Sequence, residues 1–88
     1  MRTIKYKLVV GMNTIAVQDG YQLKLRYLND QEGKIMGWFE EVYDQDMLQH
    51  SHEVYVALTG EYVPDEYQYV CSHQINQGGG YFVVHAYD

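Results

Sequence analysis

Ile4, Tyr6, Leu8 and Val10 occupy alternate positions near the start of the chain, with Lys5 and Lys7 between them. This two-residue period predicts a half-buried strand over residues 4–10, apolar on one face and cationic on the other. Gly11-Met12-Asn13 then reads as a turn, followed by a short strand from Thr14 to Val17. Gln18-Asp19-Gly20 fits a three-residue hairpin loop with Gly20 in the left-handed position. That loop pairs Val17 with Tyr21 and Ile15 with Leu23, and gathers Ile15, Val17, Tyr21, Leu23, Leu25 and Tyr27 on one face. A two-residue Asp-Gly loop would set Val17 opposite Gln22 and Ile15 opposite Lys24, so burial favours the longer loop. Asp30-Gln31-Glu32-Gly33 is a second turn, leading to a strand from Lys34 to Val42 in which Leu25 faces Trp38 and Tyr27 faces Met36.

A different period starts at Asp46. Met47, Leu48, Ser51, Val54, Tyr55, Leu58 and Tyr62 follow the i, i+3, i+4 spacing of one helix face. Asp46-x-x-Gln49 has the form of a capping box, and Thr59-Gly60 reads as a stop. Together they predict a helix over residues 46–59. Val54-Tyr55-Val56 supports a rival strand from Glu53 to Leu58, but the stop signal and the acidic first turn favour the helix. Tyr67–Ile75 and Tyr81–Tyr87 complete the pattern as a hairpin around Gly78-Gly79-Gly80. The expected fold is a single α+β domain over residues 1–88. It has an antiparallel sheet of five to six strands, in the order ββββ-α-ββ, with one helix packed on its core face.

Composition agrees with one domain: 88 residues at 47% hydrophobic content support one core but not two. No apolar run approaches the roughly 20 residues needed to cross a bilayer, so no membrane partner is expected. The first seven residues alternate charge and bulk, unlike a secretory signal. A single cysteine, Cys71, excludes an internal disulfide and fits a reducing, cytoplasmic setting.

Charge placement changes the picture more. All six bases (Arg2, Lys5, Lys7, Lys24, Arg26 and Lys34) lie in the first 34 residues, opposed there by Asp19, Asp30 and Glu32. Residues 35–88 hold nine acids and no Lys or Arg, and the net charge is −6. A dipolar molecule results if the two halves occupy different faces. Seven of the ten tyrosines lie between Tyr43 and Tyr87. Tyrosine suits half-wet interfaces, although it also serves as ordinary strand filler.

The candidate chemistry is sparse. Cys71 and His73 share one strand face, and a loop over residues 76–80 would set Cys71 opposite His85, making a thiol and two imidazoles available for zinc or thiolate chemistry. A one-residue slip separates them. His50-Ser51-His52 aligns two rings only on a strand, since on a helix they lie about 200° apart. Gly78-Gly79-Gly80 lacks the Lys and the following helix of a phosphate loop, and no nucleophile or metalloprotease motif appears. Lys5, Lys7, Lys24 and Arg26 form a candidate basic sheet face, but the acidic second half argues against direct nucleic-acid binding.

No enzyme activity and no cofactor are expected. In size and acidity the chain is like small accessory proteins of phages and mobile elements, a likeness of style without a shared motif. The leading expectation is a protein-binding module that presents an acidic, Tyr-rich surface to a basic site on another protein. An inhibitor mimicking nucleic acid is its concrete form. The expected contact residues are Glu40, Glu41, Asp44, Asp46, Asp65 and Glu66, with Tyr62 and Tyr67 as aromatic anchors. The alternatives are a metal or ligand site at Cys71, His73 and His85, and a weak nucleic-acid surface on the basic face. Open sheet edges also permit a homodimer.

Overall fold

The structure, a computed structural model, describes residues 1–47 and 50–88. Among these residues there are seven strands and no helix: β1 (Arg2–Leu8), β2 (Gly11–Ala16), β3 (Tyr21–Gln31), β4 (Lys34–Tyr43), β5 (Ser51–Leu58), β6 (Tyr69–Gln77) and β7 (Gly80–Tyr87). They form two antiparallel sheets. Sheet A has the order β1-β4-β3, and sheet B the order β2-β5-β7-β6. The α+β expectation is therefore corrected to an all-β fold.

The first strand matches its pattern: Ile4, Tyr6 and Leu8 point inward, whereas Val10 lies beyond the strand and is exposed. Gly11-Met12-Asn13 is not a turn but the start of β2. The chain leaves sheet A between Leu8 and Gly11, where Gly11 has a φ of 104°. The Asn13 amide ties this crossing. Its Oδ1 accepts from the Val9 N–H at 2.8 Å, and its Nδ2 donates to the Val9 carbonyl at 2.9 Å.

The turn at Gln18-Asp19-Gly20 does form, with Tyr21 N–H donating to the Gln18 carbonyl at 3.1 Å and Gly20 at a φ of 82°. It does not close a hairpin. β2 pairs with β5 and β3 with β4, so the turn returns the chain from sheet B to sheet A. Ile15 and Val17 then meet Leu23 and Leu25 across a core rather than along one face. With no helix to cover the apolar side of one large sheet, a second sheet covers it.

The expected helix is replaced by β5. Leu48, and the Gln49 end of the capping box, lie outside the described residues. From Ser51 onward the chain is a central strand bonded to β2 on one side and β7 on the other. His52, Val54 and Val56 alternate inward, and both valines are fully buried. A helix here would leave the edges of β2 and β7 unpaired, which outweighs a cap and a stop that each contribute about 1 kcal/mol.

The core between the sheets includes Leu8, Leu25, Leu28, Phe39, Val54, Val56, Ile75 and Val84. Burying such side chains contributes roughly 1.5–3 kcal/mol each. Phe39, on the central strand of sheet A, meets the His52 ring of sheet B edge-on at 6.2 Å. Gly37 stands beside it on the inner face, where an added Cβ would lie 2.7 Å from Leu8 Cδ1 and 2.9 Å from Phe39 Cε1.

Candidate docking surfaces

Two positions set which side chains sheet A turns outward. The β3–β4 loop is shorter than the four residues expected: Gln31 pairs with Lys34 around Glu32 (φ 53°) and Gly33 (φ 76°). A turn with both central residues left-handed matches the twist of its strands. A bulge between Leu25 and Tyr27 then shifts the phase. Leu25 therefore faces Phe39, and Tyr27 faces Trp38. The expected core pairs Leu25–Trp38 and Tyr27–Met36 do not form.

Tyr27 and Trp38 stand on the outer face instead, stacked at 5.7 Å with ring planes 12° apart. The indole Nε1 donates to Asn29 Oδ1 at 2.9 Å, which fixes the ring. Lys5 Nζ lies 5.4 Å from the indole centroid and donates to Gln31 Oε1 at 3.0 Å. By strand alternation Lys5 and Lys7 of β1, Lys24 and Arg26 of β3, and Lys34 of β4 all share this face. Its acid is Glu40, bonded to Arg26 Nη2 at 2.8 Å. The hydrogen bond to Arg26 holds the Glu40 carboxyl below its ordinary range. A shallow groove lined by Lys7, Gln31, Glu32, Lys34 and Met36 extends the surface toward the β3–β4 turn.

The outer side of sheet B is different in kind. None of its four strands carries a Lys or Arg, and neither does the 59–68 segment that joins β5 to β6. Tyr67 in that segment packs on Tyr55 at 5.9 Å, and its hydroxyl donates to Glu53 Oε2 at 2.6 Å. That bond, and the loss of hydration that goes with it, push the Tyr67 phenol up to about 12. Glu61, Asp65 and Glu66 of the same segment are exposed, and Tyr62 is 97% exposed.

The eight expected contact residues are therefore spread over several places. Glu40 and Glu41 point to opposite faces of β4. Glu41 turns inward at 8% exposure and meets Arg2 Nε at 2.7 Å. Asp44 and Asp46 are exposed after β4, with Asp44 Oδ1 accepting from the Asp46 N–H at 3.1 Å. Tyr62, Asp65, Glu66 and Tyr67 belong to the 59–68 segment.

The Cys71, His73 and His85 grouping does not assemble. The β6–β7 turn is only Gly78-Gly79, so Ile75 pairs with Phe82, and Cys71 faces Ala86 rather than His85. Cys71 and His73 point inward, and His85 points outward. His73 Nε2 reaches Asp30 Oδ1 of sheet A at 2.8 Å. Burial pushes the Cys71 thiol up, against a backbone hydrogen bond with Leu28 that lowers it. His50 and His52 also part, to Asp19 at 2.9 Å and Asp88 at 3.1 Å. Among the described residues no cluster of three or more His, Cys, Asp or Glu is placed to hold a metal.

One arrangement had no signal in the sequence. His85 Nδ1 lies 2.6 Å from Ser72 Oγ, His85 Nε2 lies 2.8 Å from Thr59 Oγ1, and Tyr69 OH lies 2.7 Å from Ser72 Oγ. Both imidazole nitrogens are engaged by hydroxyls, and among the described residues no carboxylate orients the ring. The chain of bonds anchors the start of the 59–68 segment to sheet B and lacks the parts of a hydrolytic triad. Among the described residues no helix is long and apolar enough to cross a membrane.

No curated protein and no solved structure matches the chain. A family model described as a domain of unknown function, DUF7352, matches residues 1–88, and the chain belongs to that family.

Proposed function

We propose that this protein is a non-enzymatic docking module that engages a basic surface of a partner protein through the acidic, tyrosine-bearing side of sheet B. The observation that carries this reading is Tyr62, 97% exposed on a segment that also presents Glu61, Asp65 and Glu66. A phenol ring held almost wholly in water contributes nothing to the core. It is the kind of side chain that becomes an anchor when a partner desolvates it. With no Lys or Arg on the strands of sheet B or in the 59–68 segment, the carboxylates steer a basic surface toward it.

Glu40 and Glu41 do not belong to this surface, since arginines already neutralise them. Asp44 and Asp46 remain candidates for its margin. An inhibitor that occupies the nucleic-acid site of a basic protein is the most concrete version.

The test is affinity capture from native host cells, with the wild-type chain beside Tyr62→Ala and the triple change Glu61→Gln, Asp65→Asn and Glu66→Gln. The expected result is a basic protein retained by the wild type and lost from both variants, with binding that weakens steeply as salt rises. Retention by all three proteins, or affinity indifferent to salt, overturns the reading.

A further inference from the structure

We propose that the outer face of sheet A is a second binding surface, and that its occupant is a single-stranded nucleic acid. This rests on sheet A alone and not on the docking role of the opposite side. Five of the six bases in the chain stand on this face, with Glu40 as the opposing strand acid. Among the described residues no carboxylate is in ion-pair contact with Lys5, Lys7, Lys24 or Lys34. These lysines sit on both outer strands of the sheet and at the end of the central one, so they flank the aromatic pair rather than cluster at one corner.

The net charge of −6 argues against a polyanion only when charge is averaged over the chain. The strands of sheet A carry six bases and three acids, and the other nine acids lie outside those strands. Packed sheets stand about 10 Å apart, and side chains on the two outer faces are farther apart still. The Debye length at physiological salt is about 8 Å, so a strand lying on sheet A meets mainly the local positive field.

The rings choose among polyanions. Tyr27 is 50% exposed on one side of the Trp38 stack, and Lys5 covers the other side of the indole. An unpaired base can extend this stack on the open face of Tyr27, while Lys24 on one flank, Lys5 and Lys7 on the other and Lys34 at the end of the central strand take phosphates. A duplex keeps its bases stacked on one another and leaves the rings unused. A run of acidic side chains answers the lysines but brings no aromatic ring to stack on Tyr27.

Trp38 is the only tryptophan in the chain and lies within the proposed surface, so it reports binding directly. The experiment titrates the full chain with a short oligothymidylate at low salt and follows indole emission, with a matching duplex and a polyglutamate of similar charge in parallel. Saturable quenching by the oligothymidylate is expected, weakening with salt at a log–log slope of about −3 for about four phosphate contacts. Lys7→Glu combined with Lys24→Glu should lower affinity at least tenfold and flatten the slope. Tyr27→Ala should lower affinity at least about fivefold. Thermal melts establish that each variant is folded, and Tyr62→Ala should leave the titration unchanged. Unaltered binding by the charge-reversed variant overturns the proposal. So does equal affinity for the duplex, or for polyglutamate, which would assign the surface to a different polyanion.

Discussion

The Tyr67 hydroxyl donates to the Glu53 carboxylate at 2.6 Å, joining the 59–68 segment to β5, an inner strand of sheet B. Ionising the phenol would set a phenolate against that carboxylate, with Glu66 adding to the repulsion, and the phenol is accordingly pushed up to about 12. Because the folded value lies above the unfolded value of about 10, the stabilising contribution is complete below pH 10 and is lost as pH rises through 12. A titration of phenolate absorbance should show one tyrosine ionising after the rest. Glu53→Gln should bring it back toward the others. A wild-type curve with no delayed component contradicts this account of the segment's anchor.

Gly37 is set by packing rather than by backbone conformation. The space a Cβ would need is taken by Leu8, which is 2% exposed, and by Phe39, which is fully buried, so a methyl group there must displace packed core side chains. Gly37→Ala should therefore cost about 1–3 kcal/mol as an overpacked core. In a domain of this size each kcal/mol lowers Tm by about 4–8 °C. Combined with Leu8→Ala the loss should be less than the sum of the two, because the smaller residue at position 8 makes room for the methyl group. Calorimetric melts of the two single variants and the double variant check this. Strict additivity would mean that the crowding lies elsewhere.

How much of this was legible beforehand differs from strand to strand. Ile4, Tyr6 and Leu8 could be read because one period, on one strand, assigns each side chain to a face. β4 alternates just as clearly, but Ile35 and Phe39 on one face compete with Met36 and Trp38 on the other. The choice between them hangs on a two-residue turn and a bulge at Arg26, neither of which hydrophobic periodicity reports. Similarly, a one-residue difference at Gly78-Gly79 was enough to separate Cys71 from His85.

The helix expectation failed for another reason. Ser51 to Leu58 carries both periods, and partners far along the chain, β2 and β7, decide between them. Neighbouring segments were expected to pair, yet β2 and β3 went to different sheets. The basic sheet face of Lys5, Lys7, Lys24 and Arg26 was legible in the sequence, but only the register adds Lys34 and sets Tyr27 and Trp38 among them.

Cys71 should behave as a packed side chain and not as a nucleophile. It lies half-buried on the inner face of β6, and burial raises its thiol above the ordinary range. The neutral thiol is the form the fold prefers, so this contribution holds below the unfolded pKa and fades as pH rises through the raised value. Labelling by a thiol reagent should be slower in the folded chain than in the urea-unfolded chain, with a pH midpoint above the free-thiol value of about 8.5. Fast labelling with a midpoint below that value would reveal an activated thiolate and reopen the case for chemistry at this position.

Asn13 makes the sharpest test of the two-sheet topology, because its amide works where the chain passes from sheet A to sheet B. Val9 presents both an N–H and a carbonyl to the side chain, and Gly11 and Val54 present further carbonyls at 3.2 Å each. Only a group with both an acceptor and donors satisfies that set. Asn13→Ala removes every bond and should cost about 1.5–4.5 kcal/mol, at a net contribution of roughly 0.5–1.5 kcal/mol for each of the one accepted and two donated hydrogen bonds the amide can make at once. Asn13→Asp keeps the acceptor for the Val9 N–H but turns a carboxylate toward three carbonyl oxygens, which disfavours its charged form. The introduced acid should therefore titrate above its unfolded value in the folded protein. At neutral pH Asn13→Asp should be no more stable than Asn13→Ala, and it should regain stability as pH falls through the raised value, when the carboxyl becomes a donor. Urea melts of both variants across that range give the comparison. If Asn13→Asp matches the wild type at neutral pH, the crossing is held by something other than this amide.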